Sequence, residues 1–331
     1  MESKSSKKSY ARILANKVIA KLVLTFVALA VPGMCFAQDA PAQNDKFFFS
    51  TGNTDGQLGA LSRRPSPGKL ETETADDFVL TKTTVISRAT ITGLITPATP
   101  LTNITSVEVE IYRVFPDDSD VKRAIEVPSR GNSPADIEID TATRNSGSGT
   151  LRFAPSLLNA NFTVANTVVN GIHKKGENVT HGELAATGDE VEIDITFSTP
   201  IVLPAGNYFF RPEVGVTGGD FLYLSAPRPI VAPGTPFATD KQAWIRNSQL
   251  LPDWLRIGTD IIAGNPPTFN MTFSLAGDTV PNAGVPGRAS CHGQTIAALT
   301  AQFGDVPVAA SALGFSSVDA LQDGFTAFCK P

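Results

Sequence analysis

Chemistry in this chain would have to come from a short roster of side chains. There are three histidines, His173, His181 and His292, too few and too scattered for a catalytic or metal constellation. His173 and His181 share a polar stretch with Glu177 and Glu183, but their spacing fits no standard zinc pattern, and solvated loop residues are the expectation. Cys291 and His292 adjoin without the second upstream cysteine of a haem attachment site. The sequence contains neither a Gly-x-Ser-x-Gly elbow nor a P-loop.

Carboxylates and aromatic residues remain. Asp76 and Asp77 are neighbours, so in extended chain their side chains point to opposite faces and do not form an acid and base pair directly. Turn capping, with one of them accepting from backbone N–H groups, is the favoured reading. Asp117, Asp118 and Asp120 could supply oxygen ligands for calcium, the one cofactor worth weighing. The Asp-x-Asp-x-Asp-Gly loop is missing there, and a solvated acidic loop is the competing reading. Two segments around a single turn, residues 243–247 and 252–256, hold both tryptophans and two arginines. Trp244, Arg246, Trp254 and Arg256 could present an aromatic platform with guanidinium groups to a glycan; the alternative buries both indoles in the core or at a sheet edge. Asn103, Asn161, Asn178 and Asn270 open sequons that matter only in a host that glycosylates them.

The elements that must position these groups are strands. In the stretch 73–94, Phe78 to Leu80 reads as a short buried strand and residues 81–84 as a turn. Beyond it Ala89, Ile91 and Gly93 alternate with Arg88, Thr90 and Thr92, the period of two of a sheet with one face in a core. Residues 106–115 repeat the pattern, with Val107, Val109 and Ile111 against Glu108, Glu110 and Tyr112. So do residues 189–199 and 269–275. Phe47, Phe48 and Phe49 form an apolar run read as core or edge packing, with a ligand role as the alternative. Residues 151–153 and 162–169 are weaker strands, and Gly218-Gly219 suggests a hairpin between 208–216 and 221–225. About a dozen strands make an all-β fold, an antiparallel β-sandwich over residues 47–277.

The two ends differ from this middle. Residues 1–37 have the layout of an export signal, with six basic residues, an apolar run at 22–31 and cleavage expected after Ala37. Six basic residues and one acidic residue leave with it, so the remainder holds 21 basic and 31 acidic residues and a charge near −10. That sign repels phosphate backbones and excludes nucleic acid as the expected partner. No transmembrane segment is expected in the mature chain. Residues 38–46 and 278–290 read as linkers. From residue 291 the period becomes helical, giving a small C-terminal helical mini-domain over 291–331, with Ser316 as the N-cap of its last helix. Cys291 and Cys329, an even pair in an exported chain, are expected to staple it as a disulfide. A core of about forty residues needs such a tie.

The ordered set Ala75-Asp76-Asp77-Phe78, Thr84-Val85-Ile86, Val109-Glu110-Ile111-Tyr112, Leu203-Pro204-Ala205-Gly206-Asn207-Tyr208 and the 269–277 strand resembles a group of exported bacterial β-sandwich proteins. In that group an Ala-Asp-Asp-Phe element opens a jelly-roll-like domain. The resemblance implies a fold and an address, periplasmic or extracellular, and carries over no catalytic residues. The chain lacks the group's Pro-Glu-Pro sorting tail; the cysteine-tied helices stand in its place. A secreted, non-catalytic binding or adhesive module of the cell envelope or extracellular space is the expected function, with a glycan or an envelope protein as its partner. The alternatives are a structural envelope-associated protein whose helical tail recruits a partner, and a hydrolase acting on polysaccharide.

Overall fold

Alternating apolar side chains fold here because each strand has one face to hide. The computed structural model describes residues 46–120, 131–173, 179–228, 230, 240–263 and 268–330. The expected export signal and the lead up to residue 45 lie outside the described residues, as do Glu177 and Asn178.

Five strands open the chain: β1 (Lys46–Ser50), β2 (Leu58–Leu61), β3 (Thr72–Leu80), β4 (Thr84–Ile95) and β5 (Ile104–Val114). The middle supplies β6 (Pro134–Glu138), β7 (Arg144–Asn145), β8 (Leu151–Val164), β9 (Asn166–Val168) and β10 (Ala186–Leu203). Then come β11 (Gly206–Val216), β12 (Leu222–Ala226), β13 (Trp244–Asn247), β14 (Leu255–Arg256), β15 (Asn270–Met271) and β16 (Phe273–Thr279). The first sheet runs β1-β16-β4-β12-β2-β9, with β10 pairing both β4 and β8. The second runs β14-β13-β3-β11-β5-β6, with β7 beside β5. Pairing is antiparallel except between β2 and β9.

One core lies between the sheets. Ala89 and Ile91, Ile193 and Ile195, and Phe273 and Leu275 from the first sheet meet Phe78, Val109, Ile111 and Phe210 from the second. Phe210 stacks on Phe273 with ring centroids 5.0 Å apart and planes 11° from parallel. Gly93 is required in β4, since a Cβ there would sit 2.1 Å from the Phe221 ring.

Three elements depart from the reading of local signals. β3 begins at Thr72, so Asp76 and Asp77 stand inside a strand and not at a turn. β8 is one strand of 14 residues where two weak ones were expected. The expected hairpin does not form: β11 pairs with β3 and β5, whereas β12 pairs with β2, β4 and β15 in the other sheet. Gly218, at φ 77°, does reverse the chain. A turn fixes a reversal locally, but the sheet a strand joins depends on distant partners.

Helices α1 (Cys291–Phe303), α2 (Val306–Ala312) and α3 (Val318–Phe328) follow. Asp305 caps α2 by accepting from the Val308 N–H, and Ser317, one residue later than expected, caps α3 by accepting from Ala320. Leu299, Leu313, Leu321, Phe325 and Phe328 pack together and against Val85 and Val280 of the sandwich. Cys291 and Cys329 are joined by a disulfide. In the chain-entropy account a loop of this length stabilises the fold by about 4 kcal/mol. Replacing both cysteines by serine is therefore expected to lower the temperature at which helical circular dichroism is lost. Both tryptophans lie in the sandwich, so their fluorescence transition should move less. Coincident, unshifted transitions would refute the assignment of the tie to the helices.

Candidate functional site

The outer face of the second sheet gathers the four residues expected to form an aromatic platform, but turns them inward. Trp244 is 0% and Trp254 2% exposed. Trp254 donates its indole N–H to the Ala135 carbonyl of β6 (3.0 Å), and Arg246 donates to the Asp136 carbonyl (3.1 Å), so β6, the far edge strand of the same sheet, closes against them. The Arg246 guanidinium sits 4.2 Å from the Trp254 ring and 5.2 Å from that of Tyr112, a cation–π sandwich inside the protein. Arg256 closes on Asp260 at 2.6 Å. A platform for sugar at Trp244, Arg246, Trp254 and Arg256 is thus corrected: the indoles have no solvent face to offer.

Around Arg246 lies a buried ion network that the sequence did not announce. Odd positions of β3 and β11 and even positions of β5 share this face, which brings Glu73, Arg211, Glu213 and Glu110 together. Arg246 contacts Glu73 at 2.8 Å and donates to the Tyr112 hydroxyl at 2.8 Å; that hydroxyl donates to Glu110 at 2.6 Å. Arg211 spans Glu73 (3.3 Å), Glu110 and Glu213 (2.9 Å). The Arg211–Glu213 approach lacks hydrogen-bond alignment, and both Glu213 oxygens are without hydrogen-bond partners. Burial pushes the Glu213 carboxyl well above the usual range despite Arg211. For Glu73, burial is outweighed by the two guanidinium groups, which hold it below that range. Burial raises the Glu110 carboxyl too, against the pull of Arg211, so two arginines face three carboxylates, of which burial pushes Glu213 furthest toward the protonated form. The arrangement serves folding, since all its members are buried.

Asp76 and Asp77 lie on opposite faces of β3, as neighbours in a strand must. Asp76 accepts from the Met271 N–H and Asp77 from the Lys241 N–H, both at 2.7 Å. These are the backbone partners expected of a cap, made inside a strand. Burial, with Asp77 and Asp240 nearby, raises Asp76 far above the carboxylate range. Burial also lifts Asp77 to about 7 against the Lys241 N–H, which opposes it.

The remaining candidates stay apart. Asp118 pairs with Arg113 at 3.4 Å, and the Asp120 N–H donates to Asp136, so Asp117, Asp118 and Asp120 do not converge as a calcium cage. His181 contacts the Ile262 carbonyl, and Glu183 accepts from the N–H groups of Val169, Asn170 and Gly171. Among the described residues no group of three or more His, Cys, Asp or Glu side chains could hold a metal ion.

Two of the open regions lined by described residues bear on ligand binding. A cleft of about 790 Å³ lies between the sandwich and α3, lined by Arg113, Glu138, Tyr208 and Phe328 among others. No residue lining it leaves a buried side-chain polar atom unpartnered. The second region crosses the outer face of the first sheet. Register places Phe48 opposite Ala276, Ser274 opposite Thr90, and Thr90 opposite Asp194. Clefts of about 590 and 530 Å³ share Phe48, Thr90 and Ser274 and form one trough.

The trough has one apolar wall and one acidic wall. Phe48, 48% exposed, and Leu158, 52% exposed, border it. Glu190, Glu192 and Asp194 stand on the same face of β10, at alternate positions. Thr54 donates to Glu190 at 2.6 Å, while Glu192 and Asp194 have no hydrogen bond or ion pair among the described residues. Burial, then Asp194 and Glu190, raise the Glu192 carboxyl. Thr272, only 5% exposed, lies on this face between core-facing Met271 and Phe273. Its N–H donates to Leu224 and its carbonyl accepts from Thr92, yet its hydroxyl has no partner. Comparisons with protein-family models, curated proteins and solved structures return no match. Function therefore rests on this geometry. The sequence marked Phe48 as a ligand candidate, but it gave no sign that Thr272 and Glu192 would stand beside it.

Proposed function

We propose that this chain is an exported, non-catalytic binding module, a jelly-roll-like β-sandwich of the kind its Ala-Asp-Asp-Phe element resembles, and that it holds an oligosaccharide in the trough on its first sheet. The observation carrying this reading is the unpartnered Thr272 hydroxyl, buried in the floor of an otherwise open trough that has Phe48 as its wall. A buried hydroxyl without a partner costs free energy that a ligand hydroxyl can recover. An exposed aromatic ring beside hydroxyls and carboxylates matches a sugar, which has an apolar ring face and a polar rim. Asp76 and Asp77, the carboxylates on which a hydrolase reading would rest, do not line the trough, which favours binding over hydrolysis through them. The disulfide is in keeping with an oxidising, extracytoplasmic address.

The test is affinity electrophoresis and calorimetric titration of the full chain against a panel of soluble polysaccharides. Phe48→Ala is expected to weaken binding about tenfold, the stacking contribution of one ring, with an unchanged melting temperature because the ring faces away from the core. Absence of binding to every member, or binding indifferent to Phe48, would overturn the reading.

A further inference from the structure

Resting on that reading of the trough, we infer that its ligand is a glycan bearing free amino groups, with its ammonium charges seated along Glu190, Glu192 and Asp194. Alternate residues of a strand lie about 7 Å apart on one face, within the screening length of physiological salt. The three carboxylates therefore repel one another along β10. Glu190 is 7% exposed and is met by the Thr54 hydroxyl alone among described residues, which supplies no charge. Glu192 and Asp194 have no cation either. Elsewhere Arg211 and Arg246 neutralise the buried Glu73 and Glu110, and backbone N–H groups meet the buried Asp76 and Asp77. The row from buried Glu190 through half-buried Glu192 to exposed Asp194 has, among the described residues, neither a cation nor a backbone N–H, and a cationic ligand would supply the countercharge.

Three further features narrow the class. The buried, unpartnered Thr272 hydroxyl is left to hydrogen-bond a hydroxyl of the ligand. Thr90 and Ser274, whose hydroxyls bond each other at 2.6 Å, continue a hydroxyl-lined floor. Phe48 offers a ring face, which suits a pyranose and has no counterpart in an oligolysine backbone. At the far end Arg88 and Arg152 stand opposite Thr196 on either side. They repel ammonium groups and confine them to the Glu190 end, so the trough has a charge direction.

The experiment is calorimetric titration of the full chain with a β-1,4-linked glucosamine hexamer, its fully N-acetylated counterpart and hexalysine. The glucosamine hexamer is expected to bind at least tenfold more tightly than the acetylated one and to weaken steeply with added salt. Glu192→Gln should reduce that affinity about tenfold, and Thr272→Val should reduce it severalfold; circular dichroism checks that each variant stays folded. If the acetylated hexamer binds as well or better, through Phe48, the trough remains the site and the inference about charge is overturned. Hexalysine binding equal to that of glucosamine and insensitive to Phe48→Ala would reduce the site to charge attraction and overturn the glycan class. Binding by none of the three, with a neutral polysaccharide bound through Phe48, also removes the amino-group inference; no binding of any kind removes both.

Discussion

Arg211→Met is expected to lower the unfolding free energy by about 3–5 kcal/mol, the cost of leaving buried charge without its partner. Arg211 is 3% exposed and contacts three carboxylates that are themselves buried. Methionine matches the stem of the side chain but offers Glu73 and Glu110 no charge. Arg246 can answer Glu73 alone, so Glu110 must either take up a proton or drag water inward. Glu213→Gln makes the informative contrast. Its carboxyl is already pushed toward the protonated form, so the neutral isostere should cost under about 1 kcal/mol, the range of an ordinary substitution that creates no unpaired charge. Urea unfolding of both variants at pH 7, followed by tryptophan fluorescence, measures the difference. Equal losses would mean that Glu213 is ionised and that Arg211 holds it as a third charge.

This network also explains where sequence reading reaches and where it stops. β4, β5, β10 and β16 were legible because each alternates apolar and polar residues, and burial follows that alternation. β3 was legible only at Phe78 to Leu80, because residues 72–77 are mostly polar on both faces and read as a turn. What makes them a strand is Arg211 and Arg246, more than 130 residues away in sequence, which neutralise one face. The tryptophans were misleading for the same reason: indoles and guanidinium groups around one turn compose a platform or a buried sandwich equally well. Only the edge strand β6, supplied by a loop-rich stretch and closing against them, decides between the two. The helical tail declared itself through its period and its cysteines. Its seat on Val85 and Val280 did not, since Val85 reads as an ordinary strand position and Val280 as part of a linker. The trough was beyond local reading altogether, because Phe48, Thr92, Glu192 and Thr272 meet only through the register of four strands drawn from both ends of the domain.

Stability is expected to fall as pH rises from about 5 to 8, opposite to the trend of a protein held by salt bridges alone. Asp77 is 5% exposed, and its carboxyl is lifted to about 7, against an ordinary aspartate value near 4. Between those limits the folded chain keeps a proton that the unfolded chain has released. Unfolding then releases protons, and the unfolding free energy declines with pH until Asp77 ionises in the folded state. Three pH units correspond to about 4 kcal/mol at most. Asp76, raised in the same direction by burial, steepens the trend. Glu73 opposes it only in acid: its folded value is depressed, so its contribution is full above the ordinary glutamate value and lost as pH falls through the folded one. The maximum should therefore lie near pH 4 to 5. Asp77→Asn keeps an oxygen to accept the Lys241 N–H and removes the titration, so it should flatten the profile and raise the melting temperature at pH 8. Urea unfolding of both chains at pH 5, 6.5 and 8 provides the check. A wild-type profile that is flat or rises toward pH 8, or an Asp77→Asn profile with the same slope, would show that these aspartates are charged in the folded protein and held by partners that the burial argument omits.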